Sequence, residues 1–284
     1  MQTTGIFVVH EFKISVDKLN EPIYLIPFGD IHRSSPSCHK EKWFEFLTWA
    51  KKKKRCYFLG MGDYDDLASA SERKILTNRD LHDSSLQTFE KLYLHHTKQL
   101  YNEIKFMEGR TIGLIEGNHY GEFQNNTTTT QKLAEFLKCK YLGCATFIRL
   151  SFKFGNNHTA SIDIWAHHGK GAARLIGGSL NRVQQMAESA VADIYLMGHD
   201  HKKASAPGNR LFLSKSKDGV KMHHKKQLYV RTGSFLRGYG DGEVSYVADM
   251  ALNPTDLGVV KIELTPKRDQ RDGDRFYIDV HSSI

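Results

Sequence analysis

Four short apolar runs in this chain each stop at a glycine and then at a carboxylate, an amide or an imidazole. Tyr24-Leu25-Ile26-Pro27-Phe28 leads into Gly29-Asp30-Ile31-His32, and Cys56-Tyr57-Phe58-Leu59 leads into Gly62-Asp63-Tyr64-Asp65-Asp66. Thr111-Ile112-Gly113-Leu114-Ile115 precedes Gly117-Asn118-His119, and Ile194-Tyr195-Leu196-Met197 precedes Gly198-His199-Asp200-His201. Runs this short and this apolar are expected to be buried parallel strands, which present polar side chains at their carboxyl ends. Oxygen donors mixed with imidazoles suit divalent transition metals, and a pair of such ions can clamp a phosphate.

The spacing within each block supports that expectation. Asp30 and His32, and likewise His199 and His201, are two apart, so at an extended strand end both members point to one side. Taken singly, each block has an ordinary explanation: a surface Asp-His pair, a turn, or a helix cap at Asp63. Four of them at strand ends in one chain do not.

Between the runs the pattern turns helical. Trp43, Phe46, Leu47 and Ala50 are helically spaced within Lys40 to Lys54, and Leu86, Phe89, Tyr93, Leu100 and Ile104 mark one long helix or two over Leu81 to Phe106. The polar stretch Gln124 to Thr130 reads as a loop into a helix near Lys132 to Leu137. Alternating strands and helices argue for a mainly parallel layer in the first half. Further on, Thr146 to Phe154 and Ser161 to Trp165 flank Gly155-Asn156-Asn157, which predicts an antiparallel hairpin. Leu228 to Arg231, Gly258 to Leu264 and Phe276 to Val280 are further strand candidates. With no internal repeat and no long Pro- or Gly-rich linker, the 284 residues are expected to form a single α/β domain with two stacked sheets.

No apolar run approaches the roughly 20 residues of a bilayer span, so no membrane span is expected. The first residues carry no basic region or secretory h-region, which makes the expected address cytoplasmic. Cys38, Cys56, Cys139 and Cys144 lack metal or redox spacing and are expected to be buried free thiols. The formal charge is +8, and it is concentrated. Between Lys202 and Lys226 lie Lys202, Lys203, Arg210, Lys215, Lys217, Lys221, Lys225 and Lys226 against Asp218 alone. This basic insertion, at about 202–226, is expected to be a hairpin excursion beside the site. It is either a solvated insertion or a track for nucleic acid. Lys51-Lys52-Lys53-Lys54-Arg55 is read instead as helix-terminal cations facing the negative end of the dipole.

The ordered set resembles the calcineurin-like metallophosphoesterases. Their pattern is Asp-x-His, Gly-Asp-x-x-Asp, Gly-Asn-His, a lone His near a Gly, and Gly-His-x-His. All five parts occur here in order from Gly29 to His201, and Gly233-Ser234 resembles the turn that often follows. The resemblance implies a mixed α/β fold, a four-layer αββα sandwich of two mixed β-sheets flanked by helices, with two divalent metal ions at the strand ends. It implies that Asp30, His32 and His201 hold one ion, that Asn118, His199 and one of His167 or His168 hold the other, and that Asp63 bridges them. The family's His-Gly form favours His168 and its His-His-Pro form favours His167; His168 is taken as the ligand, with His167 as the alternative. His119 is implied to be the general acid on the leaving oxygen. Asp66 is expected to hold a loop or a ligand rather than bind metal, and Asp65 and Asp200 are expected to be solvated or to support ligands.

The implied activity is a metal-dependent phosphoric ester hydrolase, with a phosphodiesterase on nucleic acid or nucleotides as the leading reading. A phosphomonoesterase or protein phosphatase, or a nucleic-acid-binding protein with a vestigial metal site, are the alternatives. The ligand types suit Mn, Fe, Zn, Co or Ni. Lys170, Arg174 and Arg182, set among Gly169, Gly171, Gly177 and Gly178, are the substrate-binding candidates on a glycine-rich loop. Their spacing does not match a nucleotide P-loop.

Overall fold

Alternate residues of the central strands divide between two hydrophobic layers. Ile23 and Leu25 point one way, with Leu59 and Ile112, while Ile26 and Phe28 point the other way, with Phe58 and Leu114. A strand apolar on both faces must be covered on both, and the rest of the fold supplies the covers. The computed structural model of the chain describes residues 8–77, 82–155, 158–216, 219–242, 245–270 and 275–284.

In chain order the elements are β1 (Val9–Val16), β2 (Ile23–Phe28), α1 (Lys40–Lys52), β3 (Cys56–Gly60), α2 (Ala70–Thr77), α3 (Asp83–Ile104), β4 (Thr111–Leu114), α4 (Thr129–Phe136) and β5 (Lys140–Tyr141). There follow β6 (Ala145–Phe154), β7 (His158–His167), α5 (Ile176–Ser189), β8 (Ile194–Met197), β9 (Lys203–Ser216), β10 (Gly219–Ser234), α6 (Tyr246–Asp249), β11 (Gly258–Val259), β12 (Lys261–Asp269) and β13 (Arg275–Ser283).

One sheet has the order β13-β12-β2-β3-β4-β5, with β2 to β5 parallel and the β12–β13 hairpin antiparallel on the edge. The other runs β1-β6-β7-β8-β10-β11, with β9 paired to β10, and again mixes directions. Between them lies a core built from Ile23, Leu25 and Leu59 on one side and Ile148, Leu150, Ile164, Ile194 and Val230 on the other. The outer face of the first sheet packs on Trp43, Phe46, Leu100, Ile104 and Leu133 of α1, α3 and α4. The outer face of the second meets Val183, Met186 and Ala187 of α5 through Tyr195 and Tyr229. The protein is therefore a four-layer αββα sandwich of two mixed sheets. Each large apolar side chain buried this way contributes about 1.5–3 kcal/mol.

Local signals account for several boundaries. Thr128 caps α4 by accepting from Gln131 N while the Gln131 side chain accepts from Thr128 N. Thr129 and Thr130 thus belong to the helix and not to the polar loop that their composition suggests. The basic run closing α1 serves packing as well as the dipole: Lys51 Nζ lies 5.3 Å from the Phe106 ring and Lys53 Nζ 5.2 Å from that of Tyr24. The Asn156-Asn157 turn of the β6–β7 hairpin lies outside the described residues, as do Lys217 and Asp218.

Three expectations need correction. The glycine-rich stretch becomes helical at Ile176, so Gly177, Gly178, Asn181 and Arg182 lie on α5 rather than on a loop. No element is expected at β1 or α2, although Phe12, Ile14 and Val16 alternate with Lys13 and Ser15; β1 pairs with β6 along its length. The basic segment does form a hairpin, β9–β10, which starts beside His201 at Lys202 and Lys203 but carries most of its lysines away from the strand ends. β10 runs parallel to β8, with Leu228 opposite Ile194 and Arg231 opposite Met197. Gly219 therefore lies at the far end of the sheet, roughly 40 Å from the level of Arg231 at about 3.3 Å per residue. Four lysines of the segment face the protein's own carboxylates: Lys203 Nζ is 2.5 Å from Asp256, Lys225 Nζ 2.5 Å from Asp193, Lys202 Nζ 3.9 Å from Asp200 and Lys226 Nζ 3.9 Å from Asp279.

Candidate metal centre

Five strands that end at this edge deliver polar side chains to one place. Asp30 and His32 follow β2, Asp63 follows β3, Asn118 follows β4, His168 follows β7, and His199 and His201 follow β8. Asp30 (φ 46°), His32 (47°), Asp63 (50°), His199 (71°) and His201 (60°) all have left-handed backbone. Such a conformation costs a non-glycine residue on the order of 1 kcal/mol or more, and it persists only where the surroundings enforce it. The glycines make room for the folded-back loops. A Cβ on Gly117 would fall on the carboxylate and amide of Asp63, and Gly62 (φ 98°) leaves space for His168 and Gly117.

The first cluster is Asp30, His32 and His201, whose candidate donor atoms all lie within 4.8 Å of one another. Asp30 Oδ2 accepts from His199 N at 2.9 Å, while Oδ1 is buried without a hydrogen-bond partner and faces His201 Nε2 at 3.7 Å. Both ring nitrogens of buried His32 also lack hydrogen-bond partners. Bare buried polar atoms of this kind cost roughly 1–3 kcal/mol each.

The second cluster is tighter. Asn118 Oδ1 lies 3.0 Å from His168 Nε2 and 2.8 Å from His199 Nδ1, and those two nitrogens are 3.3 Å apart. Met61 O, 2.7 Å from His168 Nδ1, can only accept, so Nδ1 carries the proton and Nε2 turns toward the oxygens. Asp63 joins the clusters. Its Oδ1 accepts from Asn118 N at 2.6 Å and His119 N at 2.9 Å, which leaves Oδ2 3.3 Å from His168 Nε2 and 3.8 Å from His32 Nε2.

The charges pull apart. Burial pushes the Asp30 carboxyl up to about 7, with Asp63 adding to the rise. Asp63, despite its burial, is held well below the usual carboxylate range by His168, His32 and His119. Burial and His168 together lower His199 to about 4, whereas Asp63 overcomes burial at His168 and raises it to about 9. Protonating His168 would satisfy the second cluster alone. A bound cation would satisfy such a cluster, because each gathers imidazoles and carboxylates with candidate donor atoms close together. The residues fit a metal ion.

His119 stands next to this set, its ring centroid 4.8 Å from that of His32. Its Nδ1 lies 2.6 Å from Asp66 Oδ1, and the same carboxylate oxygen is 3.8 Å from His32 Nδ1. Against the burial effect, the hydrogen bond with His119 and the nearby His32 imidazole lower the Asp66 pKa, so the carboxylate is ionised and His119 Nδ1 donates.

The supporting contacts carry no sequence signature. Arg73 of α2 donates through Nη1 to Ala68 O (2.5 Å), Asn118 O (2.8 Å) and Tyr120 O (3.1 Å), and its guanidinium stacks 3.6 Å from the Tyr120 ring centroid. Fully buried Arg231 donates to Gly198 O and Ser179 O, and Asp200 is buried against Ser179 rather than solvated. Asp65 is likewise buried, 3.1 Å from Arg33 Nε. An arginine several residues from any motif, or on the next strand, gives no local cue to these roles.

His167 lies apart from both clusters: it ends β7, and its Nδ1 accepts from Gly169 N at 2.7 Å. Arg182 Nη1 donates to Lys170 O at 2.8 Å, so that guanidinium braces the loop. Arg174 is exposed and lines a cavity beside His199 and His201.

Comparison with protein-family profiles and with curated proteins gives no match. Solved structures of slight similarity include a Vps29 double mutant from Entamoeba histolytica (TM-score 0.36, 12% identity, covering 93% of this chain and 100% of that one). Another is Vps29 from Chaetomium thermophilum (TM-score 0.34, 9% identity, 92% and 97% covered). No helix among the described residues is long and apolar enough to cross a membrane.

Proposed function

We propose that this chain is a two-metal phosphoric ester hydrolase of calcineurin-like type, formed as a single domain and acting on phosphodiesters of nucleic acid or nucleotides. The observation that carries the proposal is the position of Asp63 Oδ2, turned toward both His168 and His32 while Oδ1 is fixed by two backbone amides. A shared carboxylate offsets the repulsion of two cations about 3.5–4 Å apart. One ion would be held by Asp30, His32 and His201, the other by Asn118, His168 and His199, with Asp63 common to both. When bound, they supply Lewis-acid neutralisation of a phosphoryl group and activation of water.

The chain's own groups do the rest. With Nδ1 donating to Asp66, His119 presents Nε2 to the cleft, where in its protonated form it gives a proton to the departing alcohol oxygen. Asp66 fixes the tautomer, and Arg73 holds the Asn118–Tyr120 loop at the right depth. The deep placement of Asp30, with its Oδ2 bound to His199 N, ties the β2 and β8 ends together so that the donor set is rigid. The β10 end of the β9–β10 hairpin supports the donor set, Arg231 donating to Gly198 O and Ser234 Oγ to Asp30 O, while its other end points away.

The test is hydrolysis of bis(p-nitrophenyl) phosphate and p-nitrophenyl phosphate by protein reconstituted with Mn, Zn, Fe, Co or Ni, with metal content measured alongside. Two ions per chain and preferred cleavage of the diester are expected. A protein that holds two ions and cleaves neither ester overturns the proposal.

A further inference from the structure

The β9–β10 ribbon outruns the sheet it belongs to. β8 pairs with β10 only from Leu228 to Arg231, whereas β9 stays paired with β10 back to Gly219. Residues 219–227 and 208–216 therefore form a two-stranded ribbon that reaches roughly 30 Å past β8 at about 3.3 Å per residue. Two strands alone are marginal in water, because neither face is covered.

The ribbon is apolar where it is least covered. Met222 lies opposite Leu213, His224 opposite Leu211 and Val220 opposite Lys215. Opposed residues of an antiparallel pair share a face, and alternate residues return to it. Leu211, Leu213, Val220 and Met222 thus make one patch. The same alternation puts Leu228 and Val230 in the core nearer the centre, so the core-facing side of β10 continues beyond the sheet that would bury it. Phe212 lies on the opposite face, its ring 5.3 Å from that of His223. All five apolar side chains are between 46% and 71% exposed. Single exposed apolar groups are ordinary, but a contiguous set marks a contact surface.

Cations stand on both faces as well. Lys215 and Lys226 share the face of Met222, while Arg210, Lys221 and Lys225 share that of Phe212. No residue of β9 or β10 carries a carboxylate. We propose that this ribbon docks on the surface of an anionic lipid bilayer, its aliphatic side chains entering the boundary between headgroups and acyl chains and its lysines meeting the lipid anions. Apolar groups ringed by lysine suit that boundary. A second copy of the chain would bring the same cations against these. Its apolar contact, on the order of a few hundred Å², would also fall short of the roughly 800 Å² per partner of a stable dimer. A folded protein partner would cover one face and leave the other bare, whereas a fluid surface receives both. Nucleic acid would use the cations and leave the aliphatic patch in water. Docking uses no donor residue, since Gly219 lies at the opposite end of β10 from the donor cluster, so the inference is independent of the hydrolase reading.

The test is cosedimentation of the full chain with vesicles of phosphatidylcholine, pure or with about 30% phosphatidylserine. Wild type should partition at least tenfold more strongly to the anionic vesicles, and high salt should remove most of that difference. Leu213→Ser with Met222→Ser should cut binding to anionic vesicles about tenfold or more. Lys215→Gln with Lys226→Gln should cut it about tenfold and leave binding to pure phosphatidylcholine unchanged. All four side chains are exposed, and thermal melting establishes that the variants are folded. Absence of wild-type binding to anionic vesicles, or equal binding by the Leu213→Ser, Met222→Ser protein, overturns the proposal. A dimer that the same two changes dissociate, without vesicle binding, assigns the patch to a second copy instead. Retention of single-stranded DNA without vesicle binding assigns the ribbon to nucleic acid, and either result overturns the lipid reading.

Discussion

Asp66 Oδ1 lies 2.6 Å from His119 Nδ1 and 3.8 Å from His32 Nδ1, so one carboxylate orients the proposed proton donor and a proposed metal ligand together. It is the closest link between the cluster and the residue beside it. From this relationship follows an expected order of effects. His119→Asn should slow hydrolysis about 10²–10⁴-fold while both ions stay bound. The loss should be greater for an alkyl leaving group than for nitrophenolate, which needs little protonation. Asp66→Asn should shift rates the same way by a smaller factor. Turnover measured on both leaving groups, with metal analysis, checks this. Equal losses on the two would mean that His119 only positions phosphate.

Asp63→Asn should reduce metal content below two ions per chain and lower turnover by on the order of 10³-fold or more, because the bridging charge is lost. Metal analysis of the purified variant beside wild type is the measurement. Full occupancy with unchanged turnover would remove Asp63 from the centre.

His168→Ala should weaken the binding of one ion far more than His167→Ala, since only His168 Nε2 faces Asn118 Oδ1 and Asp63 Oδ2. Calorimetric titration of metal-free protein with Zn or Mn distinguishes them. The opposite order would move the ligand to His167.

Arg73→Ala should lower turnover roughly tenfold through lost hydrogen bonds to the Asn118–Tyr120 loop. Added guanidinium ion at a few millimolar, well below denaturing levels, should restore part of the rate. A drop in melting temperature without any rescue would make Arg73 structural only.

Thiol reactivity offers a check of the fold away from the centre. Burial raises the Cys38 thiol to about 11 and the Cys56 and Cys139 thiols to about 12. A raised thiol pKa keeps the group protonated and unreactive at pH 8. Cys144 is exposed and Cys139 only half-buried, contrary to the expectation that all four are buried. Native protein should therefore react rapidly with a disulfide reagent at Cys144 alone, with the others following on unfolding, as peptide mapping would show. Fast labelling of Cys56 would contradict its place in the core.

What could be read from the sequence is what depends on near neighbours. The apolar runs at Tyr24, Cys56, Thr111 and Ile194 mark strands because only a doubly covered strand tolerates such composition. The Gly-Asp and Gly-His blocks after them mark the edge because glycine permits the chain to fold back. Trp43, Phe46 and Leu47 betray α1 by their spacing. From these came a single α/β domain with two stacked sheets and metal-binding blocks at the strand ends; the four-layer sandwich and the division of the donors came from the resemblance to the calcineurin-like metallophosphoesterases. The tertiary structure decided what depends on distant pairing. Which of His167 and His168 turns toward Asn118 depends on the β-strand ending at the first and not the second. The basic hairpin leaves the centre because β10 must lie parallel to β8, a pairing that no residue within Lys202 to Lys226 encodes by itself. Arg73 and Arg231 join the site through carbonyl oxygens supplied by other elements. Backbone carbonyls are the same in every residue, so contacts of that kind leave no trace in the order of side chains.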